Sequence, residues 1–277
     1  MREILKLLKV NHYIKNLIVF VPLIFSVSFY DTNACIRTFL MFLAFCFISS
    51  SVYILNDFID IEKDKTHPIK CNRPLASGKV SKKLGAGLWI LLTVLSIGIA
   101  LSLSNLCFYT VLAYIFLNII YSLYLKKLPI IDATSIALGF ILRVLSGCAV
   151  IFVVPSPLVI LLTFFLSMFF TFSKRKLDRQ RISMQEVDSN LIDQFVAINA
   201  VLSIAFYITY MLDPVTIERT GSEFLYITVI PFALVIFRMI FLISTAKNQD
   251  DPAYFVYHDK MCAILILTYF ITLFAVL

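Results

Sequence analysis

The chain has 277 residues, 60% of them hydrophobic and only 15% charged, with a mean hydropathy of +0.92 and a formal net charge of +7. Soluble domains carry about a quarter of their residues as charges, so this composition excludes an ordinary soluble fold and leaves an integral membrane protein. No nucleic-acid partner is expected.

The opening segment "MREILKLLKVNHYIKN" alternates leucines with basic residues and reads as an amphipathic helix lying on the membrane face. A helical span needs about 20 apolar residues. Runs near that length predict nine spans, around 16–31, 37–56, 84–104, 106–125, 130–151, 155–173, 191–211, 223–245 and 260–277. The expected fold is all-α and polytopic, one domain over 1–277. Basic residues fall on one side: Arg2, Lys6, Lys9 and Lys15; Lys63 to Lys83; Lys126 and Lys127; Lys174 to Arg181; Lys247 and Lys260. Arg37 and Arg219 fall on the other. Lys/Arg-rich loops face the cytoplasm, so the N-terminus and these loops are expected inside the cell membrane and the C-terminus outside. The six cysteines are scattered and suggest neither a disulfide framework nor a metal site.

Between the second and third spans lies "NDFIDIEKDKTHPIKCNRPLASGK". If the second span continues as helix, Asn56, Asp60 and Asp64 recur every four residues on one face, with Asp57 about 100° round. Carboxylates so close repel unless a divalent cation sits among them. Mg²⁺ suits, because it takes one or two carboxylates and completes its shell with water and substrate phosphates. His67, Lys70 and Arg73 follow as cations for phosphate oxygens. The loop reads as a diphosphate clamp; the competing reading is a solvated loop whose charges merely balance.

In the fifth predicted span Asp132, Gly139 and Arg143 return to one side of the helix. Eleven residues of helix separate the two charges by about 16 Å, so Arg143 needs an acid or phosphate from elsewhere, and a polar cavity wall is expected there. Arg238 in the eighth span poses the same question.

"NDFIDIEKD" resembles the N-D-x-x-D-x-x-x-D signature of the UbiA superfamily of intramembrane prenyltransferases. That resemblance implies nine helices around a central cavity, with the motif binding Mg²⁺ and diphosphate. "IKNLIVFVPLIF", "THPIKCNRPLASG", "YSLYLKKLPIIDATSIALGFILRVLSG", "SKRKLDR" and "DPAYFVYHDK" are similar to a narrower branch, the decaprenylphosphoryl-5-phosphoribose synthases. The branch implies transfer of 5-phosphoribosyl from 5-phosphoribosyl 1-diphosphate to a polyprenyl phosphate. Asp57, Asp60 and Asp64 are then the catalytic acids, with Asn56, Asp60 and Asp64 on the metal. Lys15, His67, Lys70, Arg73, Lys126, Arg143, Lys174, Arg175 and Asp178 are the implied substrate contacts. Ordinary superfamily members carry a second D-x-x-x-D after the sixth span. Here that loop offers Lys174, Arg175 and Asp178 without such a pair, which favours gripping an extra phosphate over a second metal. The chain departs from the branch at Cys71, at His12–Tyr13 and at Asp178, where a basic residue, Gln-Trp and glutamate are usual. The competing functions are a prenyltransferase with an aromatic acceptor and, in another class, a transporter or lipid-binding membrane protein. A homo-oligomer is left open.

Overall fold

The computed structural model describes residues 2–128, 130–182, 189–246 and 251–277. Among them all regular structure is helical: α1 (Arg2–Leu8), a 3₁₀-helix (Val10–Phe20) running into α2 (Val21–Phe25), α3 (Thr32–Ile59), α4 (Ile61–Thr66), α5 (Lys82–Leu103), α6 (Asn105–Leu123) and α7 (Ile131–Val150). Then follow α8 (Pro157–Ile182), α9 (Ser189–Met211), α10 (Pro214–Thr220), α11 (Val229–Thr245), α12 (Ala253–His258) and α13 (Lys260–Val276). Seven helices in the described residues are long and apolar enough to cross a membrane, and the pair Arg2–Leu8 and Val10–Phe25, bent by 43°, makes an eighth candidate. Lys260–Val276 is apolar but has 17 residues.

Most predicted spans fall within a few residues of these helices. The first does not: it was expected at 16–31, and the chain instead turns from α1 into Val10–Phe25. The second is longer than expected. Asp31 caps α3 by accepting from the Asn33 amide at 2.8 Å, and the 28 residues that follow extend about 42 Å against about 30 Å of hydrocarbon. The surplus is long enough for the Asn56–Asp57 end of α3 to extend beyond an apolar layer.

The described chain divides into two compact units, one of residues 1–135 and 141–154, the other of 136–140 and 155–277. In the first unit, Val19, Met41, Phe45, Ile48, Val111 and Val150 belong to one buried core. A second cluster, Leu7, Ile54, Ile61, Leu75, Val80 and Leu92, fastens α4 and the following loop to α1, α3 and α5. Small and hydroxyl residues let the helices approach, as is usual where apolar side chains gain nothing by leaving lipid. Ser96 Oγ donates to Ala44 O at 2.8 Å, Ser51 and Thr93 hydroxyls meet at 2.6 Å, and Ser50 Oγ reaches Leu8 O at 2.7 Å. Gly147 marks the closest approach. A Cβ there would lie 2.2 Å from the Val19 carbonyl oxygen and 3.0 Å from the Pro22 ring. Arg37 donates to Val150 O at 2.9 Å and Leu103 O at 3.0 Å, capping carbonyls at the ends of α7 and α5.

In the second unit α8 and α9 pair along their lengths, with Phe172 stacked on Phe195 and Phe165 on Phe206. Lys176 bridges to Asp193 at 2.8 Å. The buried Tyr207 hydroxyl meets Thr228 at 2.8 Å and Tyr269 at 3.1 Å, tying α9 to α11's approach and to α13.

Candidate active site

The acidic motif sits where α3 ends and α4 begins, and Asp60 is the joint. It has non-helical ψ yet keeps the ladder nearly continuous: its amide donates to Asn56 O at 3.0 Å and its carbonyl accepts from the Asp64 amide at 2.8 Å. The small break regroups the side chains. Asp57 and Asp64, only 2% and 3% exposed, share one guanidinium: Arg73 Nη1 donates to Asp57 Oδ1 at 3.0 Å and to Asp64 Oδ2 at 2.7 Å. Asp60 turns elsewhere, with both carboxylate oxygens at 2.8 and 3.0 Å from Lys126 Nζ. The predicted stripe of Asn56, Asp60 and Asp64 therefore resolves into an Asp57–Asp64 pair, with Asp60 facing a different cation.

Asp57 Oδ1 also accepts from Lys9 Nζ at 3.0 Å. Lys9 joins α1 to the 3₁₀-helix in the left-handed region, at φ 50° and ψ 46°, with its ammonium 4.7 Å from the Tyr53 ring centre. A non-glycine residue held there stores about 1–2 kcal/mol, and the Asp57 contact offsets it. Three carboxylates thus face three cations drawn from separate stretches: Lys9, Arg73 and Lys126. Lys9 was read from sequence only as a topological charge, and no motif flags it.

The donor set suits a hard divalent ion. Asn56 and the three aspartates offer oxygen ligands alone, and Asp57 Oδ2 is buried without a hydrogen-bond partner. Among the described residues no three His, Cys, Asp or Glu side chains gather closely enough to hold a metal by themselves. Mg²⁺ needs only one or two carboxylates and takes waters and phosphates for the rest.

His67 and Lys70 line the loop beyond α4. His67 Nδ1 accepts from the Ile69 and Lys70 amides, both at 3.2 Å. Through these contacts the His67 ring shapes the turn that leads to Lys70. Lys70 is exposed. Lys15 lies half-buried in the 3₁₀-helix.

Residues 17–261 match the UbiA prenyltransferase family. The chain belongs to that family. It is 28% identical over 268 residues to the uncharacterized protein y4nM of Sinorhizobium fredii, covering 91% of this chain and 52% of that one, so it spans about half that relative's length. It is 25% identical over 285 aligned residues to the decaprenyl-phosphate phosphoribosyltransferase of Mycolicibacterium smegmatis, covering 96% of this chain and 89% of the other. In fold it resembles a UbiA homologue of Archaeoglobus fulgidus bound to GPP and Mg²⁺, with a TM-score of 0.73, 17% identity and 99% of each chain covered. As a UbiA family member it is a membrane-embedded transferase.

The remaining residues singled out from this UbiA sequence fall in two places. Arg143, 6% exposed, lies in the first unit. Its Nε donates to Asn16 Oδ1 and its Nη2 to Tyr114 Oη, each at 2.8 Å, and the guanidinium lies 4.8 Å from the Tyr114 ring centre. Sequence reasoning asked for an acid or phosphate; neutral oxygens and an aromatic face supply part of the answer. Asn16 is itself anchored to Ser49 Oγ at 3.2 Å. Asp132 accepts from the Ala133 amide at the start of α7. Lys174, Arg175 and Asp178 belong to the second unit, near the end of α8, where Arg175 lies over the Phe172 ring. Arg179, Arg181, Lys247 and Asp250 have side chains outside those described. Arg238 finds Asp259, with contacts of 3.1 and 2.7 Å. Asp259 also caps α13 through the Cys262 amide at 2.7 Å. The Arg238 hydrogen bond holds the Asp259 carboxyl below its usual range.

Proposed function

We propose that this UbiA transferase moves 5-phosphoribosyl from 5-phosphoribosyl 1-diphosphate to a polyprenyl phosphate, in a Mg²⁺-dependent reaction at the cytoplasmic face. The bond between ribose C1 and the diphosphate oxygen breaks, pyrophosphate leaves with the electron pair, and an oxygen of the lipid phosphate forms the new bond to C1. The observation that carries the reading is the compensated acidic cluster of Asp57, Asp60 and Asp64, held by Lys9, Arg73 and Lys126. It offers both oxygen ligands and phosphate-binding cations at the end of one helix.

Asn56, Asp60 and Asp64, with Asp57 beside them, are the residues that would hold Mg²⁺. The bound ion would offset the charge that develops on departing pyrophosphate. Arg73, Lys126 and Lys70 would bind phosphate oxygens, Arg73 with a planar fork matched to them. His67 fixes the loop that presents Lys70 and Arg73. Lys15 and Arg143 complete the set of proposed substrate contacts in the first unit. In the second, Lys174, Arg175 and Asp178 stand where a second acid pair is absent, which supports a donor or acceptor carrying additional phosphate. The choice of phosphoribosyl over prenyl donor rests on this feature and on the 25% identity to the mycobacterial phosphoribosyltransferase. Counting Lys260–Val276 as a ninth span gives the expected topology, N-terminus inside and C-terminus outside. Reading 1–277 as one UbiA-like domain rests on the family match across 17–261.

The test is to incubate membranes containing the protein with Mg²⁺, labelled 5-phosphoribosyl 1-diphosphate and polyprenyl phosphates, and to analyse lipid products by mass. A phosphoribosyl-phospholipid is the expected product. If geranyl or longer prenyl diphosphates react with an aromatic acceptor and the phosphoribosyl donor does not, the aromatic prenyltransferase reading replaces this one.

A further inference from the structure

The cations on the acidic cluster occupy the oxygens that a metal would need. Asp64 Oδ2 is engaged at 2.7 Å, Asp60 by both oxygens at 2.8 and 3.0 Å, and Asp57 Oδ1 by two donors at 3.0 Å. A divalent ion bound to the same oxygens would lie within a few ångströms of Nη1 and Nζ, where like charges repel strongly in a partly dry site. Metal on either Asp60 oxygen therefore competes with Lys126, and metal on Asp64 Oδ2 competes with Arg73. Asp57 Oδ2 is the buried oxygen left without a partner.

The three cations are not held alike. Lys9 is fixed by its left-handed backbone and by the Tyr53 ring, and its side chain is 19% exposed. Arg73 follows a single 3₁₀ turn, Lys70–Asn72, and Lys126 lies in another, Leu125–Lys127. Neither sits in a long helix, and the Arg73 side chain, 27% exposed, is the most open of the three. Both can swing outward without breaking a helix.

We propose that Arg73 and Lys126 are exchangeable counterions, which neutralise Asp57, Asp64 and Asp60 in the metal-free protein and transfer to a diphosphate when a divalent ion takes those carboxylates. This inference rests on the reading of the motif as a metal–diphosphate site. Its consequence is coupling: metal alone must displace two cations that then have no anion, whereas metal with diphosphate gives them one. Each ligand therefore raises the other's affinity by the same factor. The exchange also keeps the site nearly neutral in both states, so carboxylates and cations are never left uncompensated.

The experiment uses the full chain in detergent, with Mn²⁺ as an EPR-visible probe and inorganic pyrophosphate as the anion. In the wild type, pyrophosphate should tighten Mn²⁺ binding. Lys126→Gln frees Asp60 and should tighten Mn²⁺ binding in the absence of pyrophosphate by about tenfold, while weakening Mn²⁺-dependent pyrophosphate binding by a similar factor, so that the coupling falls. Arg73→Gln provides a second readout. Without metal it should melt below the wild type, because Asp57 and Asp64 lose their shared cation, and Mn²⁺ should raise its melting temperature by more than it raises the wild type's. Unchanged or weaker Mn²⁺ binding by Lys126→Gln, in a wild type that does bind Mn²⁺ and pyrophosphate, overturns the exchange and leaves the site reading standing. A wild type that binds no Mn²⁺ with or without pyrophosphate overturns both.

Discussion

Asp57 and Asp60 are three residues apart and chemically similar, yet their surroundings predict different losses. Asp60 is half-buried with one partner, Lys126, itself partly exposed. Asp60→Asn should leave a folded, membrane-inserted protein and lower turnover at least about 100-fold, as expected for a lost metal ligand. Near-normal turnover at saturating Mg²⁺ would remove Asp60 from the metal site. Asp57 is 2% exposed and compensates both Lys9 and Arg73. Asp57→Asn takes the acid partner from Lys9 and leaves Arg73 with Asp64 alone, and should cost about 3–5 kcal/mol of stability as well as activity, so its melting temperature in detergent should fall while that of Asp60→Asn holds. The motif and Arg73 were legible because they are adjacent in sequence. Lys9 and Lys126 reach the cluster across 48 and 66 residues, and no local spacing encodes such a contact. The pairing of Asp57 with Asp64 was also hidden, because ideal helical geometry does not anticipate the break at Asp60.

Helix packing in the first unit depends on one absent side chain. Gly147 lets the Val19 carbonyl approach to a distance that a Cβ would reduce to 2.2 Å, and the nearest obstacle is backbone, which cannot rotate away. Gly147→Ala should therefore destabilise by about 1–3 kcal/mol, the usual range for overpacking, read as a lower melting temperature in detergent. A variant that melts like the wild type would show that α7 or the 3₁₀-helix shifts at no cost. In the second unit Asp259 joins α11 to α13 through Arg238 and caps α13 besides. Its folded pKa lies below the unfolded value, so its contribution is present above the ordinary carboxylate range and is lost as pH falls through the folded value. Arg238→Gln should melt below the wild type at neutral pH, and the gap should close as the buffer is taken below about pH 4. A gap independent of pH would assign the loss to packing. Apolar run lengths made the helices themselves readable. The helix partners were not, since Ser50, Ser51, Ser96 and Gly147 carry no periodic signal that tells a packed face from a lipid-facing one.

For the whole molecule, the Lys/Arg distribution fixes an expected orientation, and Arg37 ceases to be an exception once its role is seen. It caps carbonyls of Val150 and Leu103, so its position follows from helix ends rather than from topogenic charge. A cysteine placed at Gly221, next to α10, should react with a membrane-impermeant maleimide added outside intact cells, and one at Lys79 only after the membrane is opened. The opposite pattern would invert the topology. One consequence concerns bilayer thickness. Val10–Phe20 is a 3₁₀-helix of 11 residues followed by five of α-helix. At about 2.0 and 1.5 Å of rise per residue these 16 residues reach about 30 Å, a distance that ordinary α-helix covers with about 20. A run length counted at α-helical rise therefore misplaces this segment. The 3₁₀ pitch gives these 11 residues about 5 Å more reach than α-geometry would, so the stretch covers a given distance with fewer residues than its straight α-helical neighbours.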